Sequence, residues 1–146
     1  MNDRREFLKK AGLLLGVGFT LPIISNVLNS CNSTVNPVGS ITVKITDYPA
    51  LSNIGGATSV TNAGFNQGAR VIIVRTSSTT YNTYSGICPH AGCGVDPPSN
   101  NQILCNCHGS IFSTSNGSVL RGPARSGLPL LSNVFDNTTN ILTITG

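Results

Sequence analysis

The placement of cysteine and histidine constrains this chain more than any other feature. It has five Cys and two His in 146 residues, and both His and four of the Cys fall between positions 88 and 108. The fifth, Cys31, stands alone far upstream. The first box reads Cys88-Pro89-His90-Ala91-Gly92-Cys93 and the second Cys105-Asn106-Cys107-His108-Gly109-Ser110. Each box offers one thiolate and one imidazole at short spacing, together with a second Cys. Ordinary core or surface residues do not gather in this way, so the cluster reads as a metal site. A glycine in each box lets the backbone pass close to a compact inorganic group.

The rest of the chain predicts the frame that carries these boxes. Its length suits one domain, small enough to gain from a metal or disulfide staple. Residues 41–46 (Ile41-Thr-Val43-Lys-Ile45-Thr) alternate apolar and polar, as a half-buried strand does. Residues 69–75 form a short β-branched run that reads as a core strand, and residues 79–85, with Tyr81 and Tyr84, are also strand-prone. Further strands are predicted over 128–135 and 140–145, joined by a turn at Asp136-Asn137. No segment after Cys31 has helical periodicity. The expected fold is an all-β domain over 41–146, a small antiparallel structure whose Cys/His loops project from one end, with a cluster-bearing part at about 86–125.

Charge excludes one class of function. The net charge is +4, but Arg4, Arg5, Lys9 and Lys10 lie within the first ten residues. After Cys31 the five residues Lys44, Arg70, Arg75, Arg121 and Arg125 face Asp47, Asp96 and Asp136. That small, scattered excess is no nucleic-acid footprint. The N-terminal charge belongs to a basic segment followed by the uncharged, mostly apolar stretch 11–24, a signal-peptide layout. Arg4-Arg5 with Phe7-Leu8-Lys9 resembles the twin-arginine export signal. The apolar run is short against the roughly 20 residues of a membrane helix, though retention as an N-terminal anchor is the alternative. Leu28-Asn29-Ser30-Cys31 resembles a lipobox, with Asn29 a poor match to the usual small residue, and makes Cys31 a candidate lipidated residue. Residues 1–30 are thus read as a signal or anchor and 31–40 as a polar tether. The expectation is a periplasmic or otherwise extracytoplasmic, membrane-attached protein.

Cys-x-His followed by Cys-x-x-His resembles the ligand set of Rieske iron–sulfur proteins. The likeness runs over roughly residues 70–131 and is closest to the high-potential type of cytochrome bc complexes and arsenite oxidase small subunits. It implies a Rieske-type antiparallel β sandwich or barrel with a small two-loop cluster-binding subdomain. It also implies one [2Fe–2S] cluster, with Cys88 and Cys105 on one iron and His90 and His108 on the other. Cys93 and Cys107 match the pair that forms a disulfide between the cluster loops in those families. Gly122-Pro123-Ala124 matches their third, proline-containing loop. Ser110 stands where the family's serine hydroxyl bonds a bridging sulfide, which stabilises the reduced cluster. Phe112 stands where bc-type proteins carry a tyrosine, and a phenyl ring shields but cannot donate. Ala91 replaces the usual leucine of quinol-oxidising relatives, Pro89 their threonine and Asn106 a common proline.

The ligand chemistry fits electron transfer. Two ferric ions, two sulfides and two thiolates sum to zero, so an added electron enters a neutral site rather than an anion. Imidazole ligation accordingly raises the potential, to between about −150 and +300 mV. The resemblance therefore implies a one-electron carrier or a redox subunit without catalysis of its own. Its partner would be a cytochrome, a copper protein or a molybdoenzyme large subunit. A quinol-oxidising subunit of a cytochrome bc complex is the alternative within that class. A zinc module with two Cys and two His is the alternative from another class, and it leaves Cys93 and Cys107 without a role.

Overall fold

The computed structural model describes residues 39–146. Among the described residues nine strands follow one another: β1 (Ser40–Lys44), β2 (Ala57–Thr61), β3 (Arg70–Arg75), β4 (Tyr81–Ser85), β5 (Gln102–Cys105), β6 (Ser110–Ser113), β7 (Val119–Arg121), β8 (Leu130–Asp136) and β9 (Ile141–Thr145). Among the described residues the remaining regular structure is three short 3-10 turns, at Ile45–Asp47, Pro49–Ser52 and Asn66–Gly68. The strands form a six-stranded sheet in the order β1-β9-β8-β4-β3-β2 and a three-stranded sheet in the order β5-β6-β7. All pairings are antiparallel. The all-β, antiparallel expectation is met.

The larger sheet curls because β8 serves two neighbours. Its first residues pair with β4, Leu130 opposite Tyr84 and Leu131 opposite Thr83. From Ser132 to Asp136 it pairs instead with β9. Asn133 donates from Nδ2 to the Tyr81 carbonyl and to Thr83 Oγ1, both at 3.0 Å, which stitches β8 to β4 past the last ladder pair.

The boundaries differ from expectation in places with local causes. Strand β1 begins at Ser40, within the segment read as tether, and ends at Lys44 rather than Thr46. Pro49 cannot donate to a ladder and restricts Tyr48 before it, so the chain turns: Tyr48 N–H donates to the Ile45 carbonyl at 3.0 Å. Strand β4 starts at Tyr81 because residues 76–80 close a turn. There Ser77 Oγ accepts from the backbone N–H of Thr79 and Thr80. The turn between β8 and β9 spans 137–140, so Asn137 lies in it while Asp136 ends β8, and β8 starts at Leu130 rather than Leu128. Strand β2 and the three-stranded sheet were not foreseen. The export signal with Arg4 and Arg5, the candidate lipidation site Cys31 and the tether up to residue 38 lie outside the described residues.

Strand β3 divides two cores. Its sequence Arg-Val-Ile-Ile-Val-Arg is apolar on both faces, so both must be covered. Val71 and Ile73 pack with Ile41, Val43, Leu51, Phe65, Tyr81, Leu142 and Ile144. Ile72 and Val74 pack on the other side with Tyr84, Val95, Ile103, Phe112, Leu128 and the two cysteines Cys88 and Cys105. The second core is therefore continuous with the predicted metal site.

Candidate metal centre

Two loops of similar construction form the site. The first leaves β4 and the second joins β5 to β6. In each, a cysteine is followed four residues later by a glycine whose N–H donates back to the cysteine carbonyl. Gly92 bonds Cys88 and Gly109 bonds Cys105, both at 2.9 Å. Both glycines have positive φ, 73° and 77°, a conformation that costs glycine little. That turn places one histidine at each tip.

The result separates the donors by burial. Cys88 and Cys105 are each 1% exposed, whereas His90 and His108 are exposed. The two imidazoles face each other through Nδ1, 3.2 Å apart, with ring planes at 84°. Burial pushes the Cys105 thiol above its ordinary value, and the Cys88 hydrogen bond adds to this. The N–H groups of Cys107 and His108 oppose it by donating to the sulfur. Protein alone therefore favours a protonated Cys105, and a bound cation would displace that proton.

The donor set fits a binuclear group: two sulfurs inside and two ring nitrogens outside match a cluster with sulfur on one metal and imidazole on the other.

The surrounding residues lock the loops. Cys93 and Cys107 form a disulfide between them, with a Cα–Cα distance of 6.5 Å. Ser110, fully buried at the start of β6, accepts from the Ala124 N–H at 3.0 Å through Oγ. This ties the third loop to the site and leaves the hydroxyl proton available to donate. Gly122 and Pro123 occupy that third loop, joined by a cis peptide bond. Phe112 is fully buried in the core that encloses Cys88 and Cys105. Arg121 donates from Nε to the Gly109 carbonyl at 3.1 Å. Every described site residue singled out in the sequence thus lies in or against the two loops.

Two supports escaped the sequence reading. Asn106 donates from Nδ2 to Asp96 Oδ2, and the Asp96 N–H donates to the Leu104 carbonyl at 2.7 Å. Arg70 reaches from Nη1 to the Val95 carbonyl at 2.9 Å. Both bridge residues distant in sequence, and Asp96, Arg70 and Val95 sit in no motif. The one available signal was Asn106 itself, a donor where relatives carry proline.

Comparison with known proteins agrees with this geometry. The family model described as "Rieske [2Fe-2S] domain" matches residues 52–132, more than half of the chain. The "Cytochrome b6-f complex iron-sulfur subunit 2" of Synechocystis sp. is 36% identical over 90 residues, covering 60% of this chain and 48% of that protein. A "Cytochrome b6-f complex iron-sulfur subunit" of Prochlorococcus marinus is 49% identical over 47 residues, or 32% of this chain and 26% of that one. The chain thus spans about half or less of the length of these curated relatives. The crystal structure of the cyanobacterial plasma membrane Rieske protein PetC3 from Synechocystis PCC 6803 shares the fold, with a TM-score of 0.51. It is 23% identical, with 75% of this chain and 97% of that one covered. Match, fold and paired donors lead to one conclusion: the chain belongs to the Rieske [2Fe-2S] domain family, with a [2Fe–2S] cluster as its cofactor.

Proposed function

We propose that the chain is an exported, membrane-attached one-electron carrier or redox subunit, with Cys88 and Cys105 binding one iron and His90 and His108 the other. The observation that carries this reading is the division of donors, two thiols inside the core and two imidazoles facing each other at the surface. When bound, the cluster supplies one-electron oxidation and reduction. The protein's own residues do the rest. Phe112, Ile103 and Val95 keep water from the sulfur side. The Cys93–Cys107 disulfide and the Gly92 and Gly109 turns hold the loops at fixed separation. His90 and His108 offer the partner a short path to the metal. Export and attachment rest on Arg4-Arg5, the apolar stretch behind them and Cys31. Lipid at Cys31 or a retained anchor would supply the membrane contact.

Cell fractions test both halves at once. The full chain is expected to give a rhombic electron paramagnetic resonance signal, after reduction, in the extracytoplasmic membrane fraction. His108→Ala abolishes the signal, and Arg4→Lys with Arg5→Lys retains the protein in the cytoplasm. Colourless wild-type protein, or protein carrying zinc without inorganic sulfide, sinks the ligand assignment.

One observation favours a second version. The similarity to cytochrome b6-f iron–sulfur subunits points to a subunit of a quinol-oxidising complex. Ala91 and Phe112 count against it, because both depart from the quinol-oxidising pattern beside the histidine ligands. Pro89 instead resembles the arsenite oxidase small subunits, which supports a molybdoenzyme large subunit as partner.

A further inference from the structure

Four arginines occur among the described residues, and three are spent on backbone. Arg70 donates to Val95. Arg75 donates to Leu51, Ser52, Ser77 and Ser78. Arg121 donates to Gly109. Arg125 is exposed and, among the described residues, has no acceptor. It lines a cleft of about 420 Å³ with Pro89, His90, Pro123 and Ser126. The described acids are engaged elsewhere: Asp47 with Thr46, Asp96 with Asn106, Asp136 with Thr138 and Thr139. None lines the cleft. An unpaired guanidinium therefore shares a cleft with an exposed imidazole and two prolines.

We infer that this cleft is the docking point for a redox protein with an acidic face, one of whose carboxylates pairs with Arg125 while its apolar rim packs on Pro89 and Pro123. The inference rests on the electron-carrier reading and adds to it the charge and place of the partner. A guanidinium suits a carboxylate because its planar fork matches both oxygens. Such a charge at the port speeds encounter more than it tightens the complex, and salt weakens it. The Debye length is about 10 Å at 0.1 M salt, so the effect is read at lower ionic strength.

Hexacyanoferrate(III) is the anionic probe. It takes one electron from the reduced cluster and becomes hexacyanoferrate(II), while the cluster returns to its oxidised state. In stopped flow the wild-type rate is expected to fall as KCl rises. Arg125→Gln slows it at low salt by roughly two- to fivefold, the range of one exposed ion pair, and flattens the salt dependence. Arg125→Lys restores most of the rate. The cationic oxidant tris(phenanthroline)cobalt(III) is not slowed by Arg125→Gln. The redox-inert, paramagnetic hexacyanochromate(III) broadens the Ser126 amide resonance in the wild type and not in Arg125→Gln. Lys44→Gln removes the same charge from edge strand β1 and serves as the control. An Arg125→Gln rate equal to wild type, or a Lys44→Gln rate equally slowed, overturns the inference. So does binding to phosphatidylglycerol vesicles that needs Arg125 while the hexacyanoferrate rate does not. A wild type that exchanges electrons with neither oxidant refutes the carrier reading instead.

Discussion

At the scale of single residues, Ser110 has two tasks at one hydroxyl. Its oxygen accepts the Ala124 N–H at 3.0 Å, inside a site from which water is excluded. Its proton is left to donate toward the cluster, where a hydrogen bond favours the reduced, more anionic state. Ser110→Ala removes both interactions. The midpoint potential is expected to fall, and the orphaned Ala124 N–H costs about 1–3 kcal/mol of stability. Redox titration and thermal unfolding of the same preparation measure the two effects; an unchanged potential would mean that the hydroxyl proton points away from the cluster. Ser110 was legible in the sequence because it follows His108 within a spaced motif. Asp96 was not, although it anchors Asn106 between Cys105 and Cys107. Its partner lies ten residues away, and a lone aspartate in a loop carries no local signal.

At the scale of elements, the strands that were legible are those with a periodic or β-branched signature. Strand β3 is an unbroken apolar run, β1 and β9 alternate, and the hairpin between β8 and β9 is set by Asp136. The hydroxyl of Thr138, then that of Thr139 and the Thr138 N–H, donate to its carboxylate and push its pKa down to about 2. Strands β5, β6 and β7 were not legible. They are four, four and three residues long, too short for a pattern to repeat, and β5 ends on Cys105 and β6 begins on Ser110 of the motif itself. Strand β2, Ala-Thr-Ser-Val-Thr, carries one large apolar residue and is held by pairing with β3. What the short sheet lacks in core, the Cys93–Cys107 disulfide supplies by linking the two loops. Cys93→Ser is therefore expected to cost about 2–5 kcal/mol and to shorten the life of the cluster. Decay of visible absorbance at constant temperature checks this, and a half-life equal to wild type would show that the ladder of β5 with β6 suffices.

At the scale of the whole molecule, the division of β3 between two cores makes a sharper prediction than either core alone. Ile72 and Ile73 are adjacent, alike and both fully buried, yet they point to opposite sides of one sheet. Ile73 packs with β1 and β9 residues such as Val43 and Leu142. Ile72 packs in the core that contains Cys88, Cys105 and Phe112. Truncating either to Ala leaves a cavity and costs about 2–5 kcal/mol, so global unfolding cannot tell them apart. The cluster can. A cavity behind the thiols loosens the walls that exclude water from the sulfur side, whereas a cavity on the far side of β3 leaves those walls in place. Ile72→Ala is thus expected to lose visible absorbance well below its unfolding temperature, while in Ile73→Ala the cluster and the fold are lost together. Circular dichroism and absorbance followed through one thermal ramp separate the two. If both variants lose colour and structure in step, the two cores unfold as a single unit, and the sheet transmits damage from one face to the other.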